Sequence, residues 1–540
     1  MNIGTSIRRL MNLFIILFVA VSGGLVYWQV IVAQQVTANV HNSRICQLEN
    51  APLRGTIYDR NGIWLARSVH DSTVQCGYRR EYSDPSLAGL IGYYAGPNYP
   101  ETGLEKQFDD ILSGRTGLTM LSNTVNNLLH TAPVGDDIYL TIDDRIQKIA
   151  DQHFSDPYYY GSLGSGNGDT MYPSDAGVVI VSNPHTGEML AMLSRPSYDP
   201  NKLVQTLQQG DLSDYDKLLS NPEQPLLERP LQGNYVPGSI FKTVTLMAGI
   251  DSGKTTLDQP WNETQARGPV YFDGHPIGPD GNNIDGLTFH FPVDTEYGYT
   301  HSDNVIFAQI GVNTGFDTWM NYAKSFYVGQ QIPFDLPVNV STVLPSGQQQ
   351  MSDLELASDA FGQGTDFVTP LQMSLIDNIV AANGQLMRPT LIYKITDHSG
   401  NPIQTFSPQL LSTPIKSDTA VAVRQAMYGV IQCGPGYIDH VNMSTSPWSI
   451  IGKTGTAQLG GSVNPHGWMI TAAPYSIQNP DQLPALTVVA MREHGGNGAG
   501  SVGPMIANIY NDIFSKGYVQ ANKMSVPGLN YCYQTGLLQN

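Results

Sequence analysis

A long apolar stretch lies close to the start of the chain. Residues 10–43 contain no Asp, Glu, Lys or Arg, and their apolar core at 13–32 is 20 residues long, enough to cross a bilayer as a helix. Arg8 and Arg9 precede the stretch, and a basic flank of this kind stays in the cytoplasm. The pattern predicts a cytoplasmic end at 1–9 and a transmembrane anchor at 10–33, with the rest of the chain outside. The alternative is a cleaved signal peptide, but the apolar core continues past the small residues at 20–22.

Shorter patterns further along the chain predict strands and helices. Residues 54–66 alternate on both sides of Asn61-Gly62, a dipeptide typical of a tight β-hairpin. Residues 137–143 have the pattern of a strand that leads into a helix from Arg145. Further strands are predicted at 176–181, 189–192, 448–457 and 466–474, and the apolar run at 244–250 is predicted to form a buried helix.

Composition narrows the class of protein. The chain has 540 residues, of which only 14% are charged, together with 54 glycines and 35 prolines, so a loop-rich protein of two or three domains is expected. The net charge of −18 comes with no basic stripe, which excludes nucleic acid as a partner. A flexible stretch at 161–168 suggests a division into a first domain at 34–170, a second at 171–520 and a tail at 521–540.

The cysteines fit an oxidising compartment. Cys46, Cys76, Cys433 and Cys532 all lie on the predicted outer side, where disulfides persist. Four cysteines allow three pairings, and their placement suggests Cys46–Cys76 and Cys433–Cys532, although some could be buried free thiols. The chain has no C-x-x-C or His-rich cluster, so neither a metal nor a cofactor is predicted.

The strongest chemical signal is Ser239 with Lys242. Ser239 follows the turn dipeptide Pro237-Gly238 and precedes the predicted buried helix, so it is expected at a helix N-terminus. Positions i and i+3 of a helix share one face, which places the Lys242 amine beside the hydroxyl. A serine needs a base to become a nucleophile, and a lysine can be that base if burial and a second cation lower its pKa.

Two later segments complete this chemistry. Ser302-Asp303-Asn304 provides a second hydroxyl and a side-chain amide, and Lys453-Thr454-Gly455-Thr456 provides the second cation, two hydroxyls and a glycine that admits a ligand to the backbone. Each motif alone is common in turns and helix caps. The set in this order matches the S-x-x-K, S-D-N and K-T-G signature of penicillin-binding proteins and class A β-lactamases.

The chain therefore resembles a penicillin-binding protein, and other segments indicate class B. Residues 54–66 resemble the motif near the start of class B members, and residues 103–115 and 361–373 resemble two further segments of that family. Only about 140 residues precede the transpeptidase segment, which leaves no room for a glycosyltransferase domain. The implied fold is α+β: an antiparallel sheet flanked by helices, preceded by one membrane helix and a small, mostly β pedestal.

The resemblance implies an acyl-enzyme mechanism. Ser239 would attack the D-alanyl-D-alanine donor, Lys242 would take its proton, and Ser302 with Lys453 would relay a proton to the leaving amine. Asn304 would hold the substrate amide, and the segment of Thr454, Gly455 and Thr456 would bind the terminal carboxylate. His466 and Trp468 are expected to serve the next strand rather than catalysis, and Asp303 is expected to be structural.

The implied partners are peptidoglycan stem peptides on lipid II-derived glycan, β-lactams, the membrane and, by analogy alone, a SEDS-family glycosyltransferase. The expected activity is D,D-transpeptidation in cell-wall elongation or division. A D,D-carboxypeptidase or weak β-lactamase would share every catalytic residue, and a non-catalytic scaffold that activates the polymerase is a further alternative. The location expected is the cell membrane, with the catalytic domain extracellular or periplasmic.

Overall fold

The computed structural model describes residues 3–27, 53–74, 77–116, 120, 134–156, 159–160, 170–171, 174–279, 290–345, 347–434, 443–524, 526 and 528–538. The predicted flexible stretch at 161–168 lies outside these residues, as do Cys46 and Cys76 of the suggested first disulfide.

The elements are numbered in chain order. The helices are α1 (Ile3–Val26), α2 (Ala88–Ile91), α3 (Gly103–Gln107), α4 (Asp109–Leu112), α5 (Asp144–Phe154), α6 (Pro200–Gln208), α7 (Ser213–Ser220), α8 (Arg229–Gln232), α9 (Lys242–Asp251), α10 (Glu263–Arg267), α11 (Thr295–Thr300), α12 (Asn304–Thr314), α13 (Phe316–Ser325), α14 (Asp353–Asp359), α15 (Pro370–Ala381), α16 (Ser417–Cys433), α17 (Gly498–Ser515) and α18 (Leu529–Gln534). The strands are β1 (Ile57–Tyr58), β2 (Trp64–His70), β3 (Tyr78–Tyr82), β4 (Asp137–Leu140), β5 (Tyr159–Tyr160), β6 (Thr170–Met171), β7 (Gly177–Ser182), β8 (Met189–Arg195), β9 (Pro260–Trp261), β10 (Val270–Phe272), β11 (His275–Ile277), β12 (Val293–Asp294), β13 (Leu386–Met387), β14 (Ile392–Thr396), β15 (Pro402–Thr405), β16 (Leu410–Ser412), β17 (Ile451–Ala457), β18 (His466–Ala473) and β19 (Leu486–Arg492).

The central sheet has five antiparallel strands in the order β17-β18-β19-β7-β8. Its strands are buried on both faces, because Val178 and Ile180 point into one apolar cluster while Val179 and Val181 point into another. Helices α5 and α17 pack on the second face, and α9, α15 and α16 belong to the core on the first. The predicted α+β arrangement, with an antiparallel sheet flanked by helices, is confirmed.

The pedestal is built on a six-stranded sheet in the order β15-β14-β4-β1-β2-β3, in which β1 and β4 are parallel. The predicted hairpin is confirmed, since β1 pairs with β2 and the Asp59 carboxylate accepts hydrogen bonds from the Asn61 and Ile63 amides. The hairpin of β14 and β15 comes from much later in the chain and pairs with β4. The sheet therefore joins two distant segments of sequence.

A buried cluster of opposite charges lies in the pedestal. Arg54 and Arg80 both donate to the Glu105 carboxylate, with Arg54 Nη2 at 2.9 Å and Arg80 Nε at 2.6 Å. Arg54 also pairs with Asp109. We refer to Arg54, Arg80, Glu105 and Asp109 as the pedestal charge cluster.

Two predicted boundaries differ from the structure. The strand expected at 448–457 begins only at Ile451, because Ser449 takes a φ of +46° that a strand cannot accommodate. The helix expected at Ser239 begins with a 3₁₀ turn at Gly238–Phe241, and regular α-helix starts at Lys242.

Among the described residues no helix meets the length and apolarity needed to span a bilayer.

The C-terminal residues pack against α16 and the end of α11. A disulfide joins Cys433 at the end of α16 to Cys532 in α18, which confirms that part of the predicted pairing. The Leu537 carbonyl lies 2.7 Å from the Nε2 atom of His301, the residue before Ser302. The tail thus contacts the segment that carries the second motif.

Candidate active site

The nucleophile turn depends on a glycine. Gly238 has a φ of +59°, and a Cβ atom there would lie 2.8 Å from the Thr456 carbonyl oxygen. Only glycine combines this backbone conformation with so close an approach. The turn leaves Ser239 half-buried while Lys242, one 3₁₀ turn later, is fully buried. The Lys242 Nζ atom lies 2.8 Å from Ser239 Oγ, as the i and i+3 spacing predicts.

Oxygen atoms surround the Lys242 amine. Besides Ser239 Oγ, it lies 2.6 Å from Asn304 Oδ1, 3.0 Å from the Ser302 carbonyl oxygen and 3.3 Å from Ser302 Oγ. The carbonyl and amide oxygens only accept hydrogen bonds. A neutral amine could donate its two protons to them and still offer its lone pair to the Ser239 hydroxyl.

The second motif is held in an uncommon backbone conformation. Ser302 has a φ of +63°, which is rare for a residue with a side chain and is often found at functional sites. The Asp303 carboxylate accepts from the Ile306 amide at 2.9 Å and caps α12, which agrees with the structural role expected for it. Asn304 is the first residue of that helix, so the cap orients both Ser302 and Asn304.

Lys453 approaches from the edge strand β17. Its Nζ atom donates to Ser302 Oγ at 2.9 Å and to the Thr454 carbonyl at 3.1 Å, and it lies 5.5 Å from the centre of the Tyr299 ring. Burial, and then the charge of Lys242, hold the pKa of Lys453 well below its usual value. The lowered pKa expected for Lys242 stays a prediction.

Glycines let the third motif meet the nucleophile turn. A Cβ atom on Gly455 would lie 3.0 Å from Ile240 Cγ2 and 3.1 Å from the Pro237 carbonyl oxygen. On the other side, the Gly238 amide donates to the Gly362 carbonyl at 3.0 Å, and the Gln363 side chain donates to the Thr456 carbonyl at 3.1 Å. No local pattern predicts these roles of Gly362 and Gln363, although both lie in the segment at 361–373 described above.

The structure therefore brings the predicted residues together. The residues predicted to carry the chemistry are Ser239, Lys242, Ser302, Asn304 and Lys453, and each contacts another of them through the distances above. We refer to these five predicted residues as the catalytic cluster. Thr454 is buried and Thr456 half-buried on the same edge strand.

The His466 ring instead packs against Tyr235 at 5.5 Å, and burial followed by the charge of His494 lowers its pKa to about 4. Trp468 is wholly buried in the core.

This arrangement is suited to acyl transfer. A half-exposed serine lies beside a buried amine, and a second hydroxyl bridges that amine to another, so protons can move between the attacking and leaving groups. Among the described residues no group of three or more His, Cys, Asp or Glu side chains could hold a metal ion.

Sequence families match both halves of the molecule. Residues 177–513 match the penicillin-binding protein transpeptidase domain, and residues 54–138 match the penicillin-binding protein A dimerisation domain. The chain is 28% identical over 514 residues to the peptidoglycan D,D-transpeptidase PbpA of Mycolicibacterium smegmatis, which covers 93% of this chain and 96% of that protein. It is 25% identical to the peptidoglycan D,D-transpeptidase MrdA of Escherichia coli over 82% of this chain and 68% of that protein.

Solved structures agree with these matches. The penicillin G acyl-enzyme complex of penicillin-binding protein A from M. tuberculosis superposes with a TM-score of 0.72 at 26% identity, covering 86% of this chain and all of that one (100%). The imipenem acyl-enzyme complex of the same protein has a TM-score of 0.72 at 27% identity and covers 86% of this chain and 99% of that one.

Proposed function

Because the chain belongs to the penicillin-binding protein transpeptidase family, we propose that it is a serine-type D,D-transpeptidase that crosslinks peptidoglycan stem peptides through an acyl-enzyme on Ser239. The observation that carries this proposal is the 2.8 Å approach of the Lys242 amine to the Ser239 hydroxyl, inside a cluster that also contains Lys453. Lys242, Ser302, Asn304 and Lys453 have the roles derived below.

In the first step Ser239 attacks the carbonyl of the penultimate D-alanine. The Ser239 proton passes to Lys242, whose own protons stay directed at Asn304 and the Ser302 carbonyl. The C–N bond to the terminal D-alanine then breaks, and the leaving amine takes a proton through Ser302. Lys453 contacts the same hydroxyl and favours this transfer, because its position holds the Ser302 oxygen between the two amines.

The edge position of β17 supplies the binding site. An edge strand has backbone donors and acceptors that no neighbouring strand uses, so an extended peptide can pair with it. The Ser239 and Thr456 amides are the donors we assign to the oxyanion, which such a pair stabilises by several kcal/mol. Thr454, Thr456 and Lys453 bind the terminal carboxylate, and Gly455 gives the backbone room to approach the substrate.

In the second step an amine from a neighbouring stem peptide attacks the ester and releases Ser239. Water would give a D,D-carboxypeptidase or a β-lactamase from the same residues. A β-lactam would acylate Ser239 in the same way and form an ester with its hydroxyl. Penicillin-binding protein A from M. tuberculosis forms such acyl-enzymes with imipenem and penicillin G.

The membrane location is inferred from the sequence pattern, and the glycosyltransferase partner is inferred from analogy with the family. We place the N-terminus in the cytoplasm, a membrane anchor at 10–33 and the catalytic domain outside, supported by Arg8 and Arg9 and by the exposed apolar side chains of α1 such as Phe14 and Ile16. A SEDS-family glycosyltransferase would then supply the glycan strands.

The test is the reconstituted reaction of the full chain with lipid II and a cognate polymerase, followed by muropeptide analysis. Crosslinked dimers that disappear with the Ser239→Ala variant are expected. Free D-alanine with only uncrosslinked tetrapeptides would favour the carboxypeptidase. Glycan strands that form faster than with the polymerase alone, but carry no crosslinks, would favour a non-catalytic scaffold that activates the polymerase.

A further inference from the structure

A cavity of about 340 Å³ lies where the pedestal meets the catalytic domain. The pedestal contributes Gly89 and Glu101 to its wall, and the catalytic domain contributes Glu228 together with apolar side chains of Leu226, Leu231 and Leu336. No residue of the catalytic cluster lines it. Its volume is in the range of sites for small organic molecules.

Glu228 is the unusual member of this wall. Its side chain is buried, with 5% of the residue exposed, and both carboxylate oxygens lack a hydrogen-bond partner among the described residues. Its neighbour Arg229 is committed elsewhere, because its Nε atom donates to Glu493 at 2.7 Å and its two Nη atoms donate to backbone carbonyls. A buried polar group without a partner is costly, so an arrangement that keeps one needs an explanation.

The pedestal approaches this carboxylate closely. A Cβ atom on Gly89 would lie 2.0 Å from Glu228 Oε2, so a side chain there would collide with the carboxylate. Glu101 adds a second carboxyl group from the same side. Its Oε2 atom is buried and makes no hydrogen bond in the described part of the chain, and Arg54, at 3.7 Å, is already bound to Glu105 and Asp109.

Both carboxyl groups keep their protons more readily than usual. Burial raises the pKa of Glu228 to about 8 although Arg229 opposes the change, and burial raises the pKa of Glu101 to about 7. The other charged group at the cavity is Lys106, whose side chain is exposed. Burial thus disfavours the charged form of both acids, and a cation placed beside them would favour it.

We propose that this interdomain cavity binds a small organic cation through a primary ammonium group, which donates to the carboxylates of Glu228 and Glu101 while its carbon stem packs against Leu226, Leu231 and Leu336. An ammonium has three N–H donors and no acceptor, which suits oxygens that lack donors. A bare metal ion fits less well, because no group of three or more metal-binding side chains occurs among the described residues. The site is separate from acyl transfer at Ser239.

Binding of the ammonium changes the number of protons that Glu228 and Glu101 hold. When the ammonium binds, the Glu228 carboxyl group ionises and its proton passes to the buffer, while the ligand keeps its own charge. Binding near pH 7 should therefore release up to one proton per site from Glu228, with a further fraction from Glu101.

The experiment is isothermal titration calorimetry of the purified full chain with pentylammonium, in two buffers of different ionisation enthalpy. Saturable binding with proton release is expected, and neutral 1-pentanol should bind at least about tenfold more weakly. Glu228→Gln should weaken pentylammonium binding by about tenfold or more, and Glu101→Gln by a smaller factor. Glu223→Gln is the matched control, since Glu223 is an exposed residue of the same segment and should leave binding unchanged.

Labelling of Ser239 by a fluorescent penicillin shows in parallel that each variant is folded. The proposal is overturned if pentylammonium does not saturate a site on the wild-type chain, or if it binds without releasing protons. It is equally overturned if 1-pentanol binds as well as the amine, or if the two cavity variants bind like the Glu223→Gln control.

Discussion

The pedestal charge cluster and the catalytic cluster both bury two cationic side chains around one shared group. In the pedestal, Arg54 and Arg80 share the Glu105 carboxylate, which carries the opposite charge. In the catalytic domain, Lys242 and Lys453 share the Ser302 hydroxyl, which carries no charge. The two clusters are alike in burial and geometry and differ in what lies between the cations.

That difference decides which protons can move. Burial alone would raise the pKa of Glu105, but Arg80 and Arg54 outweigh it and lower the pKa, so the pedestal keeps its charges. Burial and the charge of Lys242 instead lower the pKa of Lys453, so the catalytic pair is inclined to give up a proton. A carboxylate between two cations thus keeps its charge, whereas two amines around a hydroxyl disfavour each other's charged form.

The largest expected effect comes from fixing a charge in the catalytic cluster. Lys242→Arg replaces an amine that can be neutral by a guanidinium that cannot, so acylation of Ser239 should slow by about 10³-fold or more. The measurement is stopped-flow labelling with a fluorescent penicillin. Ser239→Ala sets the zero level, and a far-ultraviolet circular dichroism spectrum like the wild type shows that the fold survives. A near-normal rate would remove Lys242 as the base.

Breaking the matched cluster should affect stability rather than chemistry. Glu105→Gln removes the buried carboxylate that Arg54 and Arg80 share, although Arg54 keeps its pair with Asp109. We expect a loss of about 3–5 kcal/mol in the free energy of unfolding. Urea titration measures it, and the acylation rate of the folded fraction should stay unchanged. Glu81→Gln is the control. Glu81 on β3 pairs with Arg67 on β2, and because both side chains are partly exposed to solvent, this pair should contribute less than about 1 kcal/mol. Equal effects of the two variants would contradict the comparison.

The disulfide of the C-terminal tail should affect both the stability of the protein and the reactivity of Ser239. Replacing Cys433 and Cys532 together by serine opens a loop of 99 residues and should cost about 2–4 kcal/mol. Acylation should slow as well, because Leu537 no longer holds His301 beside Ser302. Calorimetric unfolding and penicillin labelling test both points, with the exposed Tyr533→Ser on α18 as control. An unchanged melting temperature would show that the tail is dispensable.

The smallest effect is expected at Glu228 in the cavity. It is a third case, a buried acid whose carboxylate has no hydrogen-bond partner among the described residues. Its folded pKa of about 8 exceeds the ordinary value of 4.5, so the folded state binds the proton more tightly and stability falls as pH rises from about 4.5 to 8. Glu228→Gln should match the wild type at pH 5 and exceed it by about 1–3 kcal/mol at pH 8. Urea titration at the two pH values measures the difference. A pH dependence identical to that of Glu223→Gln would contradict the assignment.

Local patterns predicted much of this molecule. The spacing of Ser239 and Lys242 predicted their contact because it depends on a single turn. The short apolar run at 176–181, bounded by turn residues, predicted β7 because a strand buried on both faces needs apolar side chains throughout. Features that depend on distant segments escaped prediction. The positive φ of Ser302, the contact between His301 and Leu537 and the isolation of Glu228 all arise from tertiary packing that no local pattern encodes.

The six-stranded pedestal sheet limits where the protein can be truncated. The hairpin of β14 and β15 follows residue 171 in the chain, and its strand β14 pairs with β4, which precedes that residue. A fragment that starts near residue 171 would therefore carry this hairpin without its partner strand. An exposed strand edge invites association with other chains. Fragments that lack β4 should therefore aggregate unless this strand is supplied. Because the sheet is shared, a force that displaces the pedestal also acts on β14 and so on the segment that carries the Ser239 site.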